Sequence, residues 1–186
     1  MPPVFESDAE IFVDGVALSF RDLMECRFVD FFRSKELSLP TIRLVSERAS
    51  QWLGHGHPFA TRRFSTDGKR ILGQVAEDEE DANLLDMISD QTVMGPIIAP
   101  FLYRNLEFDV QEIVVRWWPL GADHTVLIDP RRSFGQPVIF PETVPTTILA
   151  KAVEVEGSTK AASAIYEVPE RSVEEAVEYE NLLAAA

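Results

Sequence analysis

The apolar positions of the chain fall into blocks of different period. Leu23, Phe28, Phe31 and Phe32 make a broad stripe of helical spacing that runs out near Ser34. Ser19 precedes it, and Asp22 stands three residues on, the arrangement of a capping box that satisfies the free N–H groups of a helix start. A second stripe, Ile42, Val45, Ala49, Trp52 and Leu53, is opened by Ser38 and Pro40 and closed by Gly54. The pattern then changes in HPFATRRFSTDGKRIL. Asp67-Gly68 between apolar flanks is a strong hairpin signal, because both central residues of such a turn take positive φ. That register pairs Phe64 with Ile71 and leaves Arg62, Arg63, Lys69 and Arg70 near a basic ribbon. Two helices followed by a ribbon predict a winged helix-turn-helix.

Residues 76–95 read as an acidic linker leading into a short helix around Asn83–Ser89. FLYRNLEFD, EIVVRWWPL and HTVLIDP read as strands. Three helices follow. The first starts near Pro145, carries Ile148, Leu149, Ala152 and Val153, and stops at Gly157. Ser158 caps a second through about Tyr166, and a third starts at Glu170 with Val173, Ala176, Val177 and Leu183 facing inward. The expected fold is α+β and mostly helical: a winged-helix-like region with a β-hairpin over 1–75, an acidic linker and short helix over 76–108, and a region over 109–186 whose small strands lead into a helix-turn-helix-like three-helix domain.

Charge sharpens this division. The 186 residues carry a formal net charge of −14, yet residues 21–70 hold ten Lys/Arg against six Asp/Glu. Residues 71–100 hold seven acids and no base, and 151–186 hold eight acids and three bases. Cys26 is the only cysteine, which excludes an internal disulfide and fits a reducing cytoplasm. No run approaches the ~18 apolar residues of a membrane span, and MPPVFESDAEIF lacks the basic start and apolar core of a signal peptide.

Candidate chemistry is sparse. His55-Gly56-His57 has i, i+2 spacing with no third ligand nearby and reads as a structural loop, and His124 is isolated. The acidic run at 77–81 lacks the alternation and glycine of a calcium loop. No phosphate loop or nucleophile motif is present, so neither an enzyme, nor a metal, nor a cofactor is expected. Arg43 and Arg48, with the ribbon cations Arg62, Arg63, Lys69 and Arg70, form a nucleic-acid candidate through counterion release. The last helix does not: its outward positions include Arg171, Glu174, Glu175 and Glu178, and three carboxylates against one arginine repel phosphates. That helix is expected to pack on a protein. DPRRSFGQPVI at 129–139 presents Arg131 and Arg132 from a turn shaped by Asp129-Pro130 and Gly135, the glycine at a φ that other residues avoid. Trp117 and Trp118 alternate between strand faces, one in the core and the other, Trp118, at an interface.

The ordered series DPRRSFGQPVI, VPTTILA, EVEGS, AIYEV and SVEEAVEYENLLA resembles the bacterial domain-of-unknown-function family 433. LSFRDLMECRFVDFFR, LSLPTIR and HPFATRRFSTDG are similar to the MerR-like region that precedes that domain in VapB-type antitoxins. The resemblance covers about Leu18 to Leu183 and implies a type II antitoxin, cytoplasmic and dimeric or hetero-oligomeric. Its implied partner is a PIN-like, magnesium-dependent ribonuclease toxin, with autoregulation at operator DNA. In that setting Glu174, Glu175 and Glu178 cover a basic RNA-binding rim of the toxin, while Arg131 or Arg132 pairs with its carboxylates. Such relatives begin with a further helix-turn-helix ahead of the PP segment, whereas this chain begins Met1-Pro2-Pro3, so operator contact by this chain is expected to be reduced. The alternative is a DNA-binding regulator that acts through the basic ribbon without a toxin.

Overall fold

The computed structural model describes residues 3–5, 7–8, 10–12, 15–80, 84 and 103–185. The fold is mixed α/β and mostly helical, with six α-helices and three two-stranded sheets among those residues. The contacts divide the chain into two compact units. Unit 1 takes residues 1–104 and 108–114, and unit 2 takes 105–107 and 115–186. No helix among the described residues is long and apolar enough to cross a membrane.

In unit 1, β1 (Glu10–Phe12) pairs antiparallel with β2 (Gly15–Ala17) and leads into α1 (Phe20–Ser34). Ser19 caps α1 as its sequence implies: its hydroxyl accepts from Asp22 N at 3.0 Å, and Asp22 Oδ2 accepts from Ser19 N at 2.9 Å. Likewise α2 (Leu39–Leu53) starts at Ser38 and ends at Gly54, which sits at φ 67°. The core is aromatic. Phe28, Phe32, Phe59 and Phe64 are buried together, with Phe59 stacked on Phe28 at 5.2 Å and edge-on to Phe64 at 4.8 Å. Trp52, expected in that core, is exposed instead.

The hairpin expectation fails. Residues Arg62–Glu79 form one helix, α3, so the wing expected at Asp67-Gly68 is not formed there, and the start of the expected acidic linker is helical as well. Phe64, Ile71, Leu72, Val75 and Ala76 are all buried, and their spacing is that of a helix face packed on α2. Gly68 was misread as a turn residue. A Cβ there would lie 3.0 Å from the Phe64 ring, so the glycine admits a side chain rather than a bend. Gly73 meets nothing within 4 Å. Replacing Gly73 with alanine is therefore expected to stabilise the protein by up to ~1 kcal/mol through helix propensity. Gly68→Ile should cost ~1–3 kcal/mol by overpacking. Thermal unfolding of the two variants checks the pair, since a hairpin turn would penalise substitution at Gly68 and leave Gly73 indifferent. The short helix expected around 83–89 lies outside the described residues apart from Leu84.

Unit 2 begins at the base of the pair β3 (Leu106–Phe108) and β4 (Val114–Trp117), then forms β5 (Val126–Leu127) and β6 (Val138–Ile139), which pair antiparallel. Three helices follow: α4 (Thr146–Glu156), α5 (Thr159–Tyr166) and α6 (Glu170–Ala185). Gly157 closes α4 at φ 74°, and the Ser158 hydroxyl accepts from Ala161 N at 3.1 Å to open α5. Their core joins Ile139, Leu149, Ala162, Val168, Val173 and Ala176. Leu183 and Ile148 are exposed rather than inward, because both helices leave part of their apolar surface uncovered.

Candidate interaction surface

The loop between β5 and β6 is built around one carboxylate. Asp129 is 1% exposed. Its Oδ1 accepts from Arg131 N at 2.9 Å, closing the turn, and its Oδ2 accepts from Arg116 Nε at 2.9 Å. Arg131 Nε and Arg132 Nε lie 3.4 and 3.6 Å from the same carboxylate. Burial alone would raise the Asp129 pKa, but the Arg131 N–H and the guanidinium groups of Arg116 and Arg131 hold it below the usual carboxylate range. Arg116 reaches on to Glu107 Oε2 at 3.1 Å, and Trp118 Nε1 donates to Glu107 Oε1 at 2.9 Å. The Trp118 ring also meets Phe140 edge-on at 5.7 Å. Trp118 is thus half-buried and hydrogen-bonded inside unit 2.

Beyond this clamp the backbone turns left-handed at three successive residues: Ser133 (φ 44°), Phe134 (φ 56°) and Gly135 (φ 79°). Glycine accepts that freely; a phenylalanine there costs ~1–3 kcal/mol. The cost is not repaid by burial, since the Phe134 side chain is 104% exposed. The arginines divide. Arg131 is 66% exposed, whereas Arg132 is 36% exposed and lies over the Phe140 ring at 5.4 Å. Sequence reasoning singled out both arginines and missed Phe134 between them and the glycine.

On α6 the three expected carboxylates separate. Glu174 and Glu178 are exposed, but Glu175 is buried. Glu175 Oε2 accepts from Thr125 N and Oγ1 at 2.6 and 2.7 Å, and its Oε1 accepts from Arg171 Nε at 2.8 Å. Burial would raise its pKa, yet the Thr125 donors and Arg171 hold it low. Glu175 therefore fastens α6 to the loop before β5 and offers nothing outward. Beside the two free carboxylates runs an open groove of about 490 Å³, lined by Thr159, Glu174, Val177, Glu178, Asn181 and Leu182. Leu182, Ile165 and Leu183 are each more than half exposed.

The cations of unit 1 lie on helices, not on a ribbon. Arg62, Arg63, Lys69 and Arg70 are exposed along one stripe of α3. Arg70 stacks on Trp52 at 4.8 Å and Arg62 lies over Phe108 at 5.9 Å. Arg63 Nη1 donates to the Leu53 carbonyl at 3.4 Å. Arg48 pairs with Asp78 at 2.8 Å, and Arg43 donates to the Pro3 carbonyl at 3.0 Å. His57 is buried with Nε2 3.4 Å from Asp22, and its backbone N–H donates to His55 Nδ1 at 3.0 Å. His124 Nδ1 lies 3.3 Å from Glu175.

No family model matches the chain, and no curated protein matches it. Among solved structures it is similar to the X-ray crystal structure of Rv2018 from Mycobacterium tuberculosis, at 22% identity and a TM-score of 0.76, over 94% of this chain and 85% of that one. The likeness is one of fold.

Proposed function

We propose that the chain is an antitoxin of the VapB type, which binds and neutralises a PIN-like ribonuclease. The observation that carries the reading is the Arg131–Phe134 loop: a wholly exposed aromatic ring and an exposed arginine, held on a strained but clamped backbone. Aromatic rings and arginines dominate binding energy at protein interfaces. Strain kept without burial points to a partner that repays it. In this reading Arg131 pairs with carboxylates of a metal-dependent nuclease, and Glu174 and Glu178 with its cationic rim. Both charges mainly speed association. The test is magnesium-dependent RNA cleavage by the product of the neighbouring gene, with and without this chain. One equivalent is expected to suppress cleavage, and the Arg131→Ala/Arg132→Ala double variant to weaken that suppression about tenfold or more. Cleavage unaffected by the wild-type chain refutes the reading. Full neutralisation by the double variant removes the arginines from it.

A second reading, DNA binding, draws on the basic stripe of α3. Its exposed cations run along a helix that also carries the small Gly73 on the same face, which permits close approach to a phosphate backbone. Steeply salt-dependent binding of the chain to its own promoter supports it. Binding that ignores salt does not.

A further inference from the structure

We propose that the groove between α5 and α6 is occupied by a second copy of this chain, which inserts its Phe134 there and sets its Arg131 against Glu174 and Glu178. The two halves of this contact are both in unit 2, so every copy carries a knob and a hole. The knob is an aromatic ring with nothing packed on it, raised on three consecutive left-handed residues. Beside it stands Arg131, which ties its Nε to Asp129 and is otherwise exposed. The hole is a shallow, open depression whose apolar residues, Val177 and Leu182, lie beside two exposed carboxylates. The ring matches those apolar residues, and the guanidinium the carboxylates.

Other occupants fit less well. A nucleic acid that stacked a base on Phe134 would bring phosphates toward a unit whose last helix carries Glu174 and Glu178 outward. A wholly apolar peptide would leave both rim carboxylates without a cation. The turn is also preorganised: the Asp129 clamp holds the Arg131 backbone before association, so less backbone freedom is lost on binding. Two copies related by a two-fold axis would form the contact twice, and a head-to-tail arrangement would form it once per link. The inference does not rest on the antitoxin reading. The surfaces overlap with those assigned to the nuclease, so a bound nuclease excludes the second copy.

Sedimentation velocity of the full chain over a concentration series tests this. The wild-type chain is expected to self-associate. Phe134→Ser and Leu182→Glu, both at exposed positions, should each weaken the association by about 30-fold or more. Mixing the two variants in equal amounts should recover part of the association, because the intact ring of one copy then meets the intact groove of the other at one contact, while a two-fold pair loses its second. Circular dichroism confirms that each variant is folded. The inference is overturned by a wild-type chain that stays monomeric throughout, which would leave the surfaces to a different protein. It is equally overturned by a Phe134→Ser chain that associates like wild type.

Discussion

Asp129→Ala should destabilise unit 2 by about 3 kcal/mol, the lower end of the cost of breaking a buried ion pair. The carboxylate is buried while Arg116 is 28% exposed, so water softens the loss for the arginine but not for the turn. Three effects add. The Arg131 amide loses its acceptor, Arg116 keeps only Glu107, and two further guanidinium groups are left near one another without the anion between them. Asp129→Asn keeps an acceptor for the amide and should recover part of the loss. Urea unfolding, with the exchange of the Ile128 and Arg131 amides as local reporters, measures both. A loss below ~1 kcal/mol would show that water replaces the carboxylate and that the loop is not clamped.

Glu25→Gln is expected to abolish a pH dependence in unit 1. Glu25 is fully buried, and its Oε1 accepts from Phe59 N at 2.9 Å and Ala60 N at 3.2 Å, which satisfies the backbone of a buried loop. Burial pushes its pKa from 4.5 up to about 8, against the pull of those two N–H groups and with a further push from Asp22. The folded chain therefore holds a proton that the unfolded chain has released. Its stabilising contribution is complete below about pH 4.5 and is lost as pH rises toward 8. The loss is on the order of 3–4 kcal/mol across that window. A glutamine keeps the accepting oxygen and cannot ionise. The variant should match wild type near pH 4.5 and exceed it increasingly toward pH 8, as chemical denaturation at several pH values would show. Parallel curves for the two proteins would mean that the carboxyl titrates in the ordinary range.

Helix ends were the legible part of this fold, because caps are local chemistry. Ser19 with Asp22, Ser38, Gly54, Gly157 and Ser158 all stand where the chain begins or ends a helix. Gly68 was not legible from its dipeptide. Asp67-Gly68 favours a turn in isolation, whereas in the fold the edge of the Phe64 ring lies 3.0 Å from where a Cβ would be, which accounts for a glycine within a helix. The competing clue was present: Phe64, Ile71, Leu72 and Val75 keep a helical period across it. Glu25 could have been found similarly, since it shares the stripe of Phe28 and Phe32 and is thus placed toward the core. Glu175 was misassigned for the converse reason. Its neighbours Glu174 and Glu178 face water, but one step along a helix turns a side chain by about 100°, enough to carry it to the buried side. Phe134 gave no sign, because no sequence period governs a loop.

The charges of α3 run against its own peptide dipoles. Arg62 and Arg63 occupy the end where the dipoles are positive, Glu77, Asp78 and Glu79 the end where they are negative, and Thr61 provides no side-chain cap. Each terminus is repelled by what it carries. This segment has little helicity of its own to draw on, and it stays wound because α2 offers an apolar wall along its length. Detached from that wall, residues 62–79 would unravel from both ends, and the Asp67-Gly68 bend that the folded protein suppresses would be free to form.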